Sequence, residues 1–162
     1  MSLLHLPHTP NCLVCGPSNR FGLHLQLDVA PATGEIVAVF TPTVEHTGFE
    51  GILHGGVLAT VLDEAMVWAA IWSSRRACVA GEMNVRFRRP GLVGVAIRCV
   101  ARVTTSRSRL IETTGELLDP DGHTIAEGTA KYIPLDHVKT QTFFDTIIAD
   151  PTTAEARRLL TS

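Results

Sequence analysis

The sequence predicts an α+β fold in which an antiparallel sheet wraps one long central helix, with a helical extension at the C-terminal end. Three observations carry that expectation. The apolar residues Val57, Leu58, Val61, Leu62, Ala65, Met66, Ala69 and Trp72 recur at three and four, with nothing before Ser73 to stop a helix. Strand-like segments flank this run, two before it and four after it. No second helical crossover separates the later strands, so a parallel sheet is disfavoured.

Residues 1–22 read as a leader carrying Cys12-x-x-Cys15. Leu23 to Val29 alternates apolar with polar, and Glu35 to Phe40 follows across Pro31-Ala32-Thr33-Gly34, the pattern of a hairpin. The helix comes next. Beyond Arg76, strands are expected over 79–89, 93–104, 109–118 and 124–133; the alternation Val93, Val95, Ile97, Cys99, Ala101, Val103 is especially regular. Asp119-Pro120-Asp121-Gly122 marks a tight turn, so the later strands should form an antiparallel meander.

The extension, 135–162, begins with an amphipathic helix over 136–149. Asp136 is its candidate N-cap, and Val138, Phe143, Phe144, Ile147 and Ile148 are its apolar positions. A shorter helix is expected after Pro151, where Thr152-x-x-Glu155 has the form of a capping box. This tail should pack on the sheet or on a neighbouring subunit. The 162 residues make one domain, long enough to bury a substantial core.

Composition narrows the function classes. With 45% hydrophobic and 19% charged residues, the chain has apolar surface to spare for self-association. A formal net charge of -2 and no run of Lys or Arg offer no footprint for nucleic acid. Met1-Ser2-Leu3-Leu4-His5 lacks the basic and apolar regions of a signal peptide, and Asp63 and Glu64 interrupt the apolar run before it reaches bilayer length. A cytoplasmic protein without membrane insertion is expected.

Chemistry is concentrated in His54-Gly55-Gly56 and in Asp63-Glu64. The first amides of a helix lack intrahelical partners and carry the positive end of the macrodipole, so they can hold a developing oxyanion. Glycines there let a carbonyl approach closely, although the same pair also suits a tight turn. Thr60, Asp63, Glu64 and Val67 share a narrow polar face, where partial desolvation would raise a carboxylate toward the range of a general base. The alternative is an ordinary solvated face.

One helix cannot close such a site alone. Nine residues from His54 to Asp63 place them on roughly opposite faces and about 13 Å apart. Two antiparallel copies about a two-fold axis would bring the halves together. A homodimer with shared active sites is therefore the expected assembly; a dimer of dimers is a further expectation that this geometry does not itself give.

His46-x-Gly48-x-x-Gly51-x-x-His54-Gly55-Gly56, then six residues and Asp63-Glu64-Ala65-Met66, resembles the signature of hotdog-fold acyl-CoA thioesterases of the phenylacetate-pathway (PaaI-like) type. The resemblance extends to Met83-Asn84-Val85-Arg86-Phe87-Arg88-Arg89-Pro90, similar to the strand after the central helix in that family. It reaches back to Asn11-Cys12-Leu13-Val14-Cys15-Gly16 with Gly22-Leu23, similar to the leader of one branch. In all it covers about residues 11 to 134.

The resemblance implies that Asp63 is the catalytic carboxylate, activating water or attacking the thioester carbonyl. It puts the oxyanion amide at Gly56, beside Gly55, and implies that His54 sits next to the thioester and orients the loop; capping is its structural alternative. Glu64 is the second candidate base or an orienter. No cofactor and no metal are implied. Two departures stand out. Relatives often carry Asn or Gln where this chain has Gly48, for which His46 is a candidate substitute, and a hydroxyl residue where it has Ala80-Gly81. Arg88 and Arg89, with Arg86, Arg107 and Arg109, are candidates for coenzyme A phosphates.

Cys12 and Cys15, close to His5 and His8, could bind zinc, although packing before the first strand also explains them. The expected activity is hydrolysis of an acyl-CoA thioester to free acid and coenzyme A. Two alternatives are a non-catalytic acyl-CoA binding module and an enoyl-thioester hydratase. The hydratase is disfavoured because Phe49 occupies the position where that chemistry wants Asp.

Overall fold

The apolar run after His54 becomes helix α1 (Gly55–Ser74), in the computed structural model, which describes residues 2–148 and 150–162. His54 is its N-cap in extended conformation, with its side chain accepting from the Gly56 amide. Arg75 ends the helix in the left-handed region (φ 56°), its N–H bonded to the Ile71 carbonyl and its guanidinium over the Trp72 ring at 4.5 Å. By length and composition α1 could cross a membrane, yet here it is the core helix. Leu58, Val61, Leu62, Ala65, Met66, Trp68, Ala69, Ala70, Ile71 and Trp72 are all buried, so it is apolar on nearly every side.

The remaining elements are β1 (Leu4–His5), β2 (Leu27–Ala30), β3 (Glu35–Phe40), a 3-10 turn (Val44–His46), the small hairpin β4 (Thr47–Phe49) and β5 (Ile52–Leu53), then β6 (Cys78–Phe87), β7 (Ile97–Arg107), β8 (Leu110–Leu118) and β9 (Thr124–Pro134), followed by α2 (His137–Thr146) and α3 (Ala154–Thr161). Seven strands form one antiparallel sheet in the order β1-β2-β3-β7-β8-β9-β6. The meander is confined to β7, β8 and β9. Because α1 is about 30 Å long, it spans the sheet from β3 to β6, and the strand after it lands on the far edge beside β9.

Close approach of α1 to the sheet depends on two glycines. Gly115 of β8 and Gly128 of β9 are direct cross-strand partners. A Cβ on Gly115 would lie 3.1 Å from Leu62 and Met66, and one on Gly128 3.3 Å from Met66. The bare strand surface is thus the seat for the middle of the helix.

Several boundaries differ from the sequence expectation. β2 starts at Leu27, because His24 takes a positive φ (52°) and the amides of Leu23 and Leu25 bond to Leu13 and Val14 of the leader. β7 starts at Ile97, since Val93 and Gly94 donate to Gly51 and Pro42 outside the sheet. Asp136 does cap α2, accepting from Lys139 N–H, but the helix stops at Thr146, and Ile148 bridges to His8; Ala149 lies outside the described residues. Val138 faces solvent at 78% exposure. Thr153, not Thr152, is the N-cap of α3, and the Asp150 carboxylate takes the amides of Thr152 and Thr153 in place of a capping box.

Leader and tail close α1 on the side away from the sheet: Cys12 lies on Glu64, and Phe143 of α2 stacks 6.2 Å from Trp68. Gly115→Val should therefore cost about 1–3 kcal/mol by overpacking against Leu62 and Met66. A lower urea midpoint with unchanged slope would register the loss.

Candidate active site

The tip of α1 offers one free donor. Gly56 N–H is held by its own cap, donating to His54 Nδ1 at 2.8 Å, while the amides of Val57 and Leu58 point to the His54 carbonyl. Among the described residues, Gly55 N–H has no partner. The oxyanion position read from the sequence at Gly56 is thus already satisfied, and the neighbouring amide is the one left to a ligand. Phe87 of β6 packs over Gly55, its ring 3.4 Å from where a Cβ would stand.

Asp63 and Glu64 are adjacent, but a helix turns 100° between them, and they meet different walls. The Asp63 carboxylate accepts from the Tyr132 hydroxyl at 2.7 Å; the same hydroxyl lies 3.0 Å from the Asp63 carbonyl. Tyr132 is fully buried on β9, and burial, with Asp63 accepting from it, pushes its hydroxyl pKa up, so it acts as a fixed donor. The Asp63 side chain stays half-buried, on one stripe with Gly56, Thr60 and Val67, all short of full burial. Gly56 and Asp63 are separated by nearly two turns along this stripe, about 10 Å.

Glu64 turns the other way, under the leader. Its carboxylate accepts from Trp68 Nε1 at 3.1 Å, and both its oxygens lie 3.6 Å from Cys12 Sγ. Burial, reinforced by the charge of Cys12, raises its pKa to about 7. No Lys, Arg or His forms an ion pair with it among the described residues.

The loop before the helix is structural in most of its contacts. His46 Nδ1 accepts from Thr43 N–H at 2.9 Å, its ring stands edge-on to Phe40, and its carbonyl holds His54 N–H. A Cβ on Gly48 would lie 2.8 Å from the His54 backbone, so a side chain there would force the loop and the cap apart. Arg88 forks onto Glu127 of β9 at 2.6 and 3.1 Å; Arg89, exposed beside it, forms no ion pair among the described residues. Both follow Phe87, so they stand at the same end of the sheet as Gly55. Ala80 and Gly81 sit at an exposed bulge of β6, with Ala80 directly opposite Tyr132. The two histidines near the cysteines do not join them: His5 pairs with Asp28, and the side-chain cluster at the leader is Cys12, Cys15 and Glu64.

Tyr132 and Phe87 escaped the sequence reading. Tyr132 is the chain's only tyrosine and lies in an apolar strand, a signal that a buried hydroxyl needs a partner. The free amide and the stripe-mate carboxylate are the polarising and basic groups that acyl transfer uses, about 10 Å apart along one helix.

A family model for the thioesterase superfamily matches residues 50–126. Human acyl-coenzyme A thioesterase 13 is 31% identical over 102 residues, 62% of this chain and 73% of that protein. Among solved structures, a thioesterase superfamily protein superposes with a TM-score of 0.71 at 23% identity over 76% of this chain, which spans 60% of that protein's length. The E. coli PaaI protein from the phenylacetic acid degradation operon gives a TM-score of 0.64 at 23% identity, covering 70% of this chain and 81% of that one. At these identities the two structures establish the hotdog fold alone.

The environment of Glu64 has a measurable consequence in chelator-treated protein. Its folded pKa, about 7, lies above the ordinary 4.5, so the folded state binds the proton more tightly than the unfolded state. Stability from this group is full at low pH and is lost as pH rises between those values. Glu64→Gln removes the titration, and relative to the parent it should gain up to about 3 kcal/mol between pH 5 and pH 8. Parallel pH–stability curves for the two proteins would contradict this.

Proposed function

The chain belongs to the thioesterase superfamily, and on that premise we propose that it hydrolyses an acyl-CoA thioester to free acid and coenzyme A. The observation that carries the reading is the half-buried stripe of α1, with a free amide at its tip and Asp63 held by Tyr132 two turns on. In this reaction the Gly55 amide, at the positive end of the helix, polarises the thioester carbonyl. Asp63 from a partner copy takes a proton from water as the water adds to the carbonyl carbon. Collapse of the tetrahedral oxyanion breaks the carbon–sulfur bond, and the proton passes from Asp63 to the leaving thiolate. Direct attack by the Asp63 carboxylate is the covalent variant of the same arrangement.

The partner has an obvious place to bind. β6 is an edge strand with one side unpaired, and it exposes Val79 (46%) and Phe87 (52%) next to the half-buried stripe. Two copies joined there, as a homodimer within a dimer of dimers, would bring the α1 tip of one toward Asp63 of the other. His54 sets the direction of the loop by capping Gly56; Gly56 itself keeps the approach open. Tyr132 supplies from β9 the hydroxyl that Ala80-Gly81 lacks on the paired strand, as a positioning residue for Asp63. We assign Arg89, with Arg88 beside it on Glu127, to the coenzyme A phosphates, and His46 to shaping the loop that leads to His54. Glu64, turned under the leader, is the weaker candidate base. Four free cysteines fit a reducing compartment, and we assign the protein to the cytoplasm.

Asp63→Asn should lower kcat by about 10²-fold or more, because it removes the basic oxygen while keeping the shape. Gly55→Pro removes the amide proton at a helix position that accepts proline and adds a ring that meets Phe87 in ordinary van der Waals contact; it should lower kcat by about 10²- to 10³-fold with the helix intact by circular dichroism. When these two variants are mixed and exchanged, heterodimers should recover activity at one of their two sites; no recovery would refute the shared site. Tyr132→Phe should lower kcat by roughly 10- to 100-fold with little change in KM, the loss of one hydrogen bond to a charged group. Thiol release from a panel of aliphatic and aryl coenzyme A esters reads all of these. Saturable binding of every ester without thiol release would instead make the protein a binding module.

A further inference from the structure

The leader presents two sulfurs to a carboxylate that no cation neutralises among the described residues. We propose that Cys12, Cys15 and Glu64 form a zinc site that fastens the leader to the central helix. The proposal is independent of the thioesterase reading.

The geometry suits that ion. One atom from each of the three residues lies within 4.8 Å of the others, and both Glu64 oxygens lie 3.6 Å from Cys12 Sγ. A tetrahedral zinc with bonds of about 2.3 Å to sulfur and 2.1 Å to oxygen requires a sulfur–oxygen separation of ~3.6 Å. The cysteines are also arranged as a preformed knuckle. Val14 N–H donates to Cys12 Sγ at 3.3 Å, a contact that favours the thiolate which metals bind. The turn leaves no room after the second cysteine: a Cβ on Gly16 would stand 2.4 Å from the Cys12 nitrogen and 2.5 Å from its carbonyl oxygen. Cys-x-x-Cys-Gly is therefore a backbone shape in which both sulfurs emerge on one side.

Charge supports the same conclusion. Cys12 Sγ lies half-buried against both oxygens of the Glu64 carboxylate, with the buried Cys15 beside it. A thiolate and a carboxylate side by side in a half-buried place repel, and the donors that reach them among the described residues, Val14 N–H and Trp68 Nε1, are neutral. A divalent cation removes the conflict. On binding it displaces the thiol protons to solvent, leaving two thiolates, one carboxylate and a water on the fourth position. Glu64 then serves structure, and Asp63, one residue before it, is left as the carboxylate for chemistry.

The test uses the full chain, purified without a histidine tag and fully reduced. Elemental analysis should find one zinc per chain. After removal with a chelator, Co2+ should restore a spectrum with sulfur-to-cobalt charge-transfer and tetrahedral d–d bands, and Cys12 should be alkylated faster in the metal-free protein than in the loaded one. The Cys12→Ser/Cys15→Ser double variant should bind neither metal, and Glu64→Ala should keep the sulfur charge-transfer band while binding Co2+ more weakly. Reduced wild-type protein that stays metal-free with zinc or cobalt in excess overturns the proposal, as does a double variant that binds as the parent does. Because the cobalt spectrum is read on wild-type protein, misfolding of a variant does not blunt the test.

Discussion

The burial of α1 on nearly all sides governs everything else in this protein. A helix that is apolar on most of its circumference must be covered on most of it, and the chain covers it with two different materials, leaving the stripe of Gly56, Thr60, Asp63 and Val67 half-buried. The sheet takes one side, made flat enough by Gly115 and Gly128 to seat Leu62 and Met66. The leader and α2 take the other, through Cys12 and Phe143. Adjacent carboxylates on such a helix cannot share an environment. Asp63 is handed to Tyr132 of the sheet and keeps a half-buried opening, whereas Glu64 is enclosed beneath sulfur and indole.

The helix tip is controlled as locally. His54 spends its Nδ1 on Gly56, and that choice of capping partner determines which amide remains free. Gly48 in turn gives the loop room to press against the His54 backbone. The loop, the cap and the free amide form one unit, and a side chain at Gly48 would collide with His54, the residue that orders the rest. On the opposite wall Tyr132 reaches Asp63 from the strand paired with Ala80.

Much of this was legible in residue patterns. The spacing of Val57 to Trp72 located the helix to within two residues of its end, and alternation located β3, β8 and β9 almost to the residue. Motif spacing singles out His54, Gly55, Gly56 and Asp63. What escaped were contacts between segments distant in sequence: Tyr132 with Asp63, Phe87 over Gly55, and Cys12 with Glu64. Alternation also misled where the leader competed with the sheet for the amides of Leu23 and Leu25, because periodicity records which face is apolar and not which strand is the partner.

The sequence by itself determined the core helix, the antiparallel strands and the set of chemical groups, because these follow from local periodicity and side-chain type. Only the tertiary structure decided that β6 crosses to the sheet edge, that Gly55 and not Gly56 keeps a free amide, and that Asp63 and Glu64 part company. Those outcomes depend on which surfaces meet when a 100° step on a helix is read by two different walls, and no local pattern encodes the walls.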